Sequence, residues 1–154
     1  MGYTHYWRMD KPLTIVPVQK ALIKEVMDES KGLLANWEGK AGTRAIFSDK
    51  KISFNGIEGG SHESFVVDFG KQVGFSFCKT AHKPYDLTVC KILLILAISD
   101  GFNFSSDGTD RDPVRLTSYN WPEAVQWFTD KGYAHVLENK VYPYLNKPYE
   151  EEAS

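Results

Sequence analysis

The chain is poor in the signals that usually announce a chemistry. It has only two cysteines, Cys78 and Cys90, with no C-x-x-C pair and no second cluster to complete a zinc site. They read as ordinary buried thiols, so no metal is expected. Long apolar runs are missing as well. The longest, Ile92 to Ile98, is far too short to cross a bilayer, and no membrane partner is expected. A basic surplus is absent: the net charge of -2 argues against a nonspecific nucleic-acid binder. The N-terminal residues hold no apolar leader core, which together with the thiols points to a cytoplasmic location. Neither G-x-x-x-x-G-K-[ST] nor G-x-G-x-x-G occurs, so the common phosphate and dinucleotide loops are excluded and no cofactor is expected. A G-x-S-x-G elbow is also lacking, although the members of a Ser/His/Asp triad need not lie close in sequence.

What is present suits one compact core. At 154 residues, 42% of them hydrophobic, the chain is long enough for a single domain, expected over 1–141, with a proline-broken acidic tail over 142–154. Residues 3–9 alternate, with Tyr3, His5, Trp7 and Met9 on one face, and large groups on both faces predict a central strand. Pro17 opens an amphipathic helix predicted to run to about residue 37. Short alternating stretches follow at 43–47, 51–57 and from Glu63, and Val73, Phe75 and Phe77 share a face. Close spacing predicts an antiparallel meander. Residues 87–98 carry a single charge, Lys91, and predict a deeply buried helix. Phe102 to Phe104 predicts a short strand. Asn120-Trp121-Pro122-Glu123 predicts a capping box on a helix over 121–131. The expected class is α+β: an antiparallel sheet of about five strands covered by two to three helices, one of them deeply buried.

The segment Phe75 to Asp86 is the richest in candidate chemistry. A strand hands over to a helix through a cationic, hydroxyl-bearing loop. Lys79, Thr80, Lys83, Tyr85 and Asp86 stand there, beside a helix start whose free N–H groups favour an anion. The plainer reading is a solvated basic turn before a core helix. His5, among Tyr3, Tyr6 and Trp7, suits a ring-lined pocket, stacking on a base or acid–base work. Its plainer reading is a hydrogen-bonded core histidine. Asn55, Glu63 and Asp107 are candidates to read ribose or base edges. His5 with Glu63 is the acid–base pair to expect if the protein is an enzyme. His62-Glu63 is adjacent and points to opposite faces of a strand, which disfavours a metal pair. The acidic loop Asp107, Asp110, Arg111, Asp112 lacks the calcium-loop pattern.

Several blocks together carry a resemblance: Met1-Gly2-Tyr3-Thr4-His5-Tyr6-Trp7, Phe54-Asn55-Gly56, Glu63-x-Phe65, Phe77-Cys78-Lys79-Thr80-Ala81-x-Lys83-Pro84-Tyr85-Asp86 and Ser105-Ser106-Asp107-Gly108. The chain resembles a family of small uncharacterised proteins of tailed phages and prophages, over about residues 1 to 130. That family usually carries Arg where His82 stands here. The resemblance implies a phage origin, and by analogy a sponge that sequesters a host immune signalling nucleotide inside the host cytoplasm. The leading expectation is therefore a binding protein for a small, phosphate-bearing, nucleotide-like ligand, with Tyr3, Trp7 or Tyr85 stacking on its base. A nucleotide hydrolase or phosphodiesterase using His5 and Glu63 is the alternative. A protein-directed inhibitor or assembly component, using the tail around Tyr142, Tyr144 and Tyr149 and the acidic loop, is a third, and self-association is a further option.

Overall fold

The computed structural model describes residues 2–71, 74–110 and 112–147. Strand β1 (Thr4–Met9) is the middle strand of a three-stranded antiparallel sheet, between β6 (Ser76–Lys79) and β7 (Phe102–Ser106). The register sets Thr4 opposite Lys79, and His5 opposite both Cys78 and Ser106. Inward residues of β1 are His5, Trp7 and Met9, as the alternation requires. A second antiparallel sheet holds β2 (Leu34–Ala35), β3 (Ile46–Phe47), β4 (Lys51–Gly56) and β5 (Phe65–Asp68) around β4. A small ribbon pairs β8 (Thr109–Asp110) with β9 (Arg115–Leu116). The class is α+β, with antiparallel sheets of three, four and two strands.

Helix α2 (Asp86–Leu96) forms the centre of the core. Val89, Cys90 and every residue from Ile92 to Leu96 are fully buried, as expected for a helix apolar on all sides. Helices α1 (Pro17–Glu29) and α3 (Trp121–Asp130) pack against it. Gly132, with φ of +98°, stops α3. A helical run follows, from α4 (Ala134–Val136) through a π turn at Leu137–Val141 into α5 (Tyr142–Leu145).

Several expectations are corrected. Helix α1 ends at Glu29, not near 37: the Ser30 hydroxyl donates back to the Val26 carbonyl, and Leu34–Ala35 leaves to pair with β4. Trp37 is consequently 63% exposed. Only Ile46–Phe47 of the 43–47 stretch is a strand. The meander covers β3, β4 and β5, whereas β6 departs to the other sheet. Phe75 and Phe77 face solvent and Cys78 points inward; Val73 lies outside the described residues. Tyr142–Leu145 begins the expected tail as helix α5. Tyr142 is buried with Val141, and the Asn146 side chain bonds the backbone of Val114 through both its oxygen and its nitrogen. Residues 148–154, including Tyr149, lie outside the described residues, as does Arg111.

Candidate functional site

His5 is brought from the middle strand against the first residue of the buried helix. Its Nε2 lies 2.7 Å from Asp86 Oδ1 and its Nδ1 lies 2.8 Å from Ser106 Oγ, and neither His5 nor Asp86 is exposed. Asp86 Oδ1 also accepts from the Thr80 hydroxyl at 2.5 Å, and Oδ2 accepts from Asn120 Nδ2 at 2.9 Å and the Cys90 thiol at 3.6 Å. Ser106 Oγ accepts from Trp121 Nε1 at 2.8 Å and the Gly108 amide at 2.9 Å. The loop between β6 and α2 delivers Thr80 and Asp86, β7 delivers Ser106, and the turn before α3 delivers Asn120 and Trp121.

Counting protons fixes the tautomer. A hydroxyl oxygen offers two lone pairs and one hydrogen. Two N–H groups occupy the lone pairs of Ser106, so its hydrogen goes to His5 Nδ1. The ring proton then sits on Nε2 and is donated to Asp86. Four donors meet the four acceptor sites of the carboxylate, which satisfies a buried charge that would otherwise be costly. Burial pushes the Asp86 carboxyl up, but the hydrogen bonds from His5, Thr80 and Asn120 outweigh it and hold the group below its ordinary value. Asp86 also lies at the positive end of the α2 dipole.

His5, Asp86 and Cys90 stand close enough together to suggest a metal set. The proton on Nε2 occupies the nitrogen that would have to ligate, and moving it to Nδ1 would aim three donors at Ser106 Oγ. Burial also raises the Cys90 thiol well above its ordinary value, and a metal needs the thiolate. The trio is therefore built as hydrogen-bonded pairs. Cys78, likewise buried, is pushed up to about 12. Neither thiol is expected to react with iodoacetamide at pH 8 in the folded protein, and both should react in urea; mass spectrometry of the labelled chain checks this.

A second layer of rings covers the relay. Tyr3 meets His5 edge-on at 5.1 Å and stacks on His82 at 3.9 Å, and His82 in turn lies 4.0 Å from Tyr119. Tyr3 is buried, whereas Tyr119 is 68% exposed. Ala81, His82 and Tyr119 have φ of +52°, +60° and +58°. Left-handed backbone costs a non-glycine residue on the order of 1 kcal/mol, and here three such residues converge on one cluster. The buried Tyr3 hydroxyl makes no well-formed hydrogen bond among the described residues, and the Ser106 hydroxyl lies beside it. Burial raises its ionisation far above the ordinary phenol value, with Cys90 and Asp86 adding to the effect. A Cβ on Gly108 would sit 2.4 Å from this hydroxyl and 2.5 Å from Trp121 Cδ1, so only glycine fits there.

The structure sorts the sequence candidates. His5, Thr80 and Asp86 come together, but inside the protein and bonded to one another. The carboxylate partner of His5 is Asp86 rather than Glu63. Glu63 accepts from the Lys79 amide at 2.7 Å and so ties the loop before β5 to β6. Tyr85 is buried and donates to the Glu63 carbonyl, and Trp7 is buried against Phe65 at 5.1 Å, so neither ring offers a free face. Asn55 is spent on the backbone of Trp37, Gly56 and His62. Asp107 accepts from the Thr4 amide at 3.0 Å and the Tyr6 hydroxyl at 3.3 Å. Lys79 and Lys83 are half-buried, bracket the Ala81–His82 turn, and have no described carboxylate within 4.0 Å. Sequence reading missed Ser106, His82, Tyr119 and Trp121 as site residues. It took Asn120 for a helix cap, but the Asn120 side chain makes no cap bond and turns to Asp86 instead.

A cleft of about 780 Å³ opens elsewhere, between the end of α1 and β3. Its charged lining residues Lys24, Asp28, Lys31 and Arg44 are all exposed, so water already solvates them. The buried relay is the more built feature of the two. No protein-family model, curated protein or solved structure matches the chain.

Proposed function

We propose that the protein captures a small, phosphate-bearing, nucleotide-like ligand at the rim formed by Lys79, the Ala81–His82 turn, Lys83 and Tyr119. The observation that carries this reading is the ring stack. His82 stacks on Tyr3 at 3.9 Å, and Tyr119 lies 4.0 Å from His82 and meets Tyr3 edge-on at 5.0 Å, with left-handed backbone at both His82 and Tyr119. Strain of this kind persists where the surrounding structure over-determines it, and it concentrates at ligand sites. An exposed aromatic ring offers a base about 1–3 kcal/mol of stacking. The two lysines that flank the turn supply charge for a phosphate. The stacking groups thus become Tyr119 and His82 in place of Trp7 and Tyr85. The resemblance to small phage proteins supports a sponge-like, anti-defence role in a host cytoplasm.

Calorimetry with cyclic dinucleotides and ADP-ribose derivatives tests the reading. Micromolar or tighter binding is expected for at least one ligand. The pair Lys79→Ala and Lys83→Ala together should weaken it more than about tenfold, equal to 1.4 kcal/mol. Tyr119→Ala should weaken it comparably. Absence of binding across the panel would sink the proposal.

A further inference from the structure

We propose that Ser106, His5 and Asp86 form a nucleophilic relay that cleaves a phosphodiester bond of the captured ligand. The substrate class rests on the binding reading above, whereas the relay rests on its own geometry. Three observations carry it. The Ser106 hydroxyl proton is directed at His5 Nδ1 at 2.8 Å, and the opposite ring nitrogen is fixed by Asp86 at 2.7 Å. This is the proton order of an activated serine, in which a base takes the hydroxyl proton and a carboxylate orients the base. The Tyr3 hydroxyl is buried beside Ser106 and makes no well-formed hydrogen bond of its own. The Gly108 amide and Trp121 Nε1 already converge on Ser106 Oγ.

The chemistry balances. Ser106 Oγ attacks phosphorus and its proton passes to His5 Nδ1. The P–O bond to the leaving alcohol breaks, and His5 returns the proton to that oxygen. Water then attacks the phosphoserine, giving a proton to His5, which passes it to Ser106 Oγ as the P–Oγ bond breaks. As Oγ gives up a lone pair to phosphorus, the Gly108 amide is released toward the developing oxyanion, with the Tyr3 hydroxyl beside it, whereas the indole N–H of the fixed, buried Trp121 stays on Oγ. Asp86 touches no reacting atom and is a positioning residue. Entry requires the Tyr119–His82 cover to swing aside, and the left-handed backbone at both residues keeps that cover in a conformation it gains by leaving.

A fluorophosphonate probe and bis(4-nitrophenyl) phosphate test the relay on the intact protein. Both are applied to the wild type and to Tyr119→Gly, which removes the exposed ring and relieves its backbone. The expected result is a covalent mass gain mapped to Ser106 by the fluorophosphonate, faster in Tyr119→Gly because this probe carries no base for the ring to hold, and gone in Ser106→Ala. Tyr3→Phe should slow release of 4-nitrophenol with little change in KM, as a donor used only in the transition state requires. His5→Gln should label about 100-fold more slowly, the share a general base supplies. Folding of each variant is checked by circular dichroism, and the wild-type and Tyr119→Gly results stand without the others. No label at Ser106 in either would overturn the relay. Labelling without affinity for any nucleotide would leave the relay and remove the binding reading. Recovery of intact ligand from a tight complex, with Ser106 unlabelled, would do the reverse.

Discussion

Replacing Asp86 with alanine is expected to lower the unfolding free energy by about 3–5 kcal/mol, the cost of breaking a buried charged pair by removing one partner. The carboxylate receives His5, Thr80, Asn120 and Cys90 at once. Alanine would leave the first three of these donors without an acceptor, and each unpaired buried donor costs about 1–3 kcal/mol before relaxation. Asp86→Asn keeps the volume but turns an amide toward the donors, and a smaller loss, still above about 1 kcal/mol, is expected. The pH dependence separates charge from shape. The folded-state value of Asp86 lies below the ordinary 3.8. Its contribution is therefore fully present above that ordinary value and is lost as pH falls through the lower folded value. Urea denaturation at a series of pH values should show stability falling below about pH 4 in the wild type, and a flatter acid limb in Asp86→Asn. An unchanged acid limb would mean that Asp86 is not the group that titrates.

Trp121→Ala is expected to cost about 3–5 kcal/mol, as large-to-small changes at buried tryptophans do. The ring is fully buried, stacks on Phe104 at 5.4 Å with planes 9° apart, and donates to Ser106. Trp121→Phe divides these roles. The stack survives, whereas Ser106 Oγ loses one of the two donors that fix its proton on His5. A loss of about 1–3 kcal/mol is expected for phenylalanine, measured by denaturant midpoint at constant m-value. Equality of the phenylalanine variant with the wild type would show that Ser106 does not need the indole N–H.

Local order was more legible in the sequence than long-range pairing. Alternation over residues 3–9 identified the strand, because apolar and aromatic groups at a period of two mark the face that meets the core. Apolar residues all round 87–98 identified the buried helix in the same way. Helix α1 was read too long because Leu33, Leu34 and Trp37 fall at helical spacing. Pairing of Leu34–Ala35 with β4 overrode that spacing. The site was half legible. Thr80 and Asp86 stood out as polar groups at a helix start, but nothing local says whether such a group meets solvent or a buried histidine. Ser106 and His5 are 101 positions apart and meet only through strand register. Asn120 shows the limit most clearly. Its spacing to Glu123 fits a capping box, and a side chain that satisfies the cap rule can instead be claimed by a stronger acceptor. The strained Ala81 and Tyr119 carry no sequence mark, since left-handed backbone is foreseen mainly at glycine, and among other residues at asparagine, aspartate and histidine such as His82.

The placement of β1 bears on how the protein is made. Strand β1 leaves the ribosome before its neighbours, which arrive some seventy to a hundred positions later, at Ser76–Lys79 and Phe102–Ser106. Until β7 emerges, Trp7 and Met9 have no complete sheet to enter, and His5 has no serine. Closing so long a loop precedes any contact that repays it, which slows folding and lengthens exposure of the nascent apolar face. Synthesis must therefore run past residue 106 before the middle of the molecule can exist, and past Trp121 before the buried relay is complete.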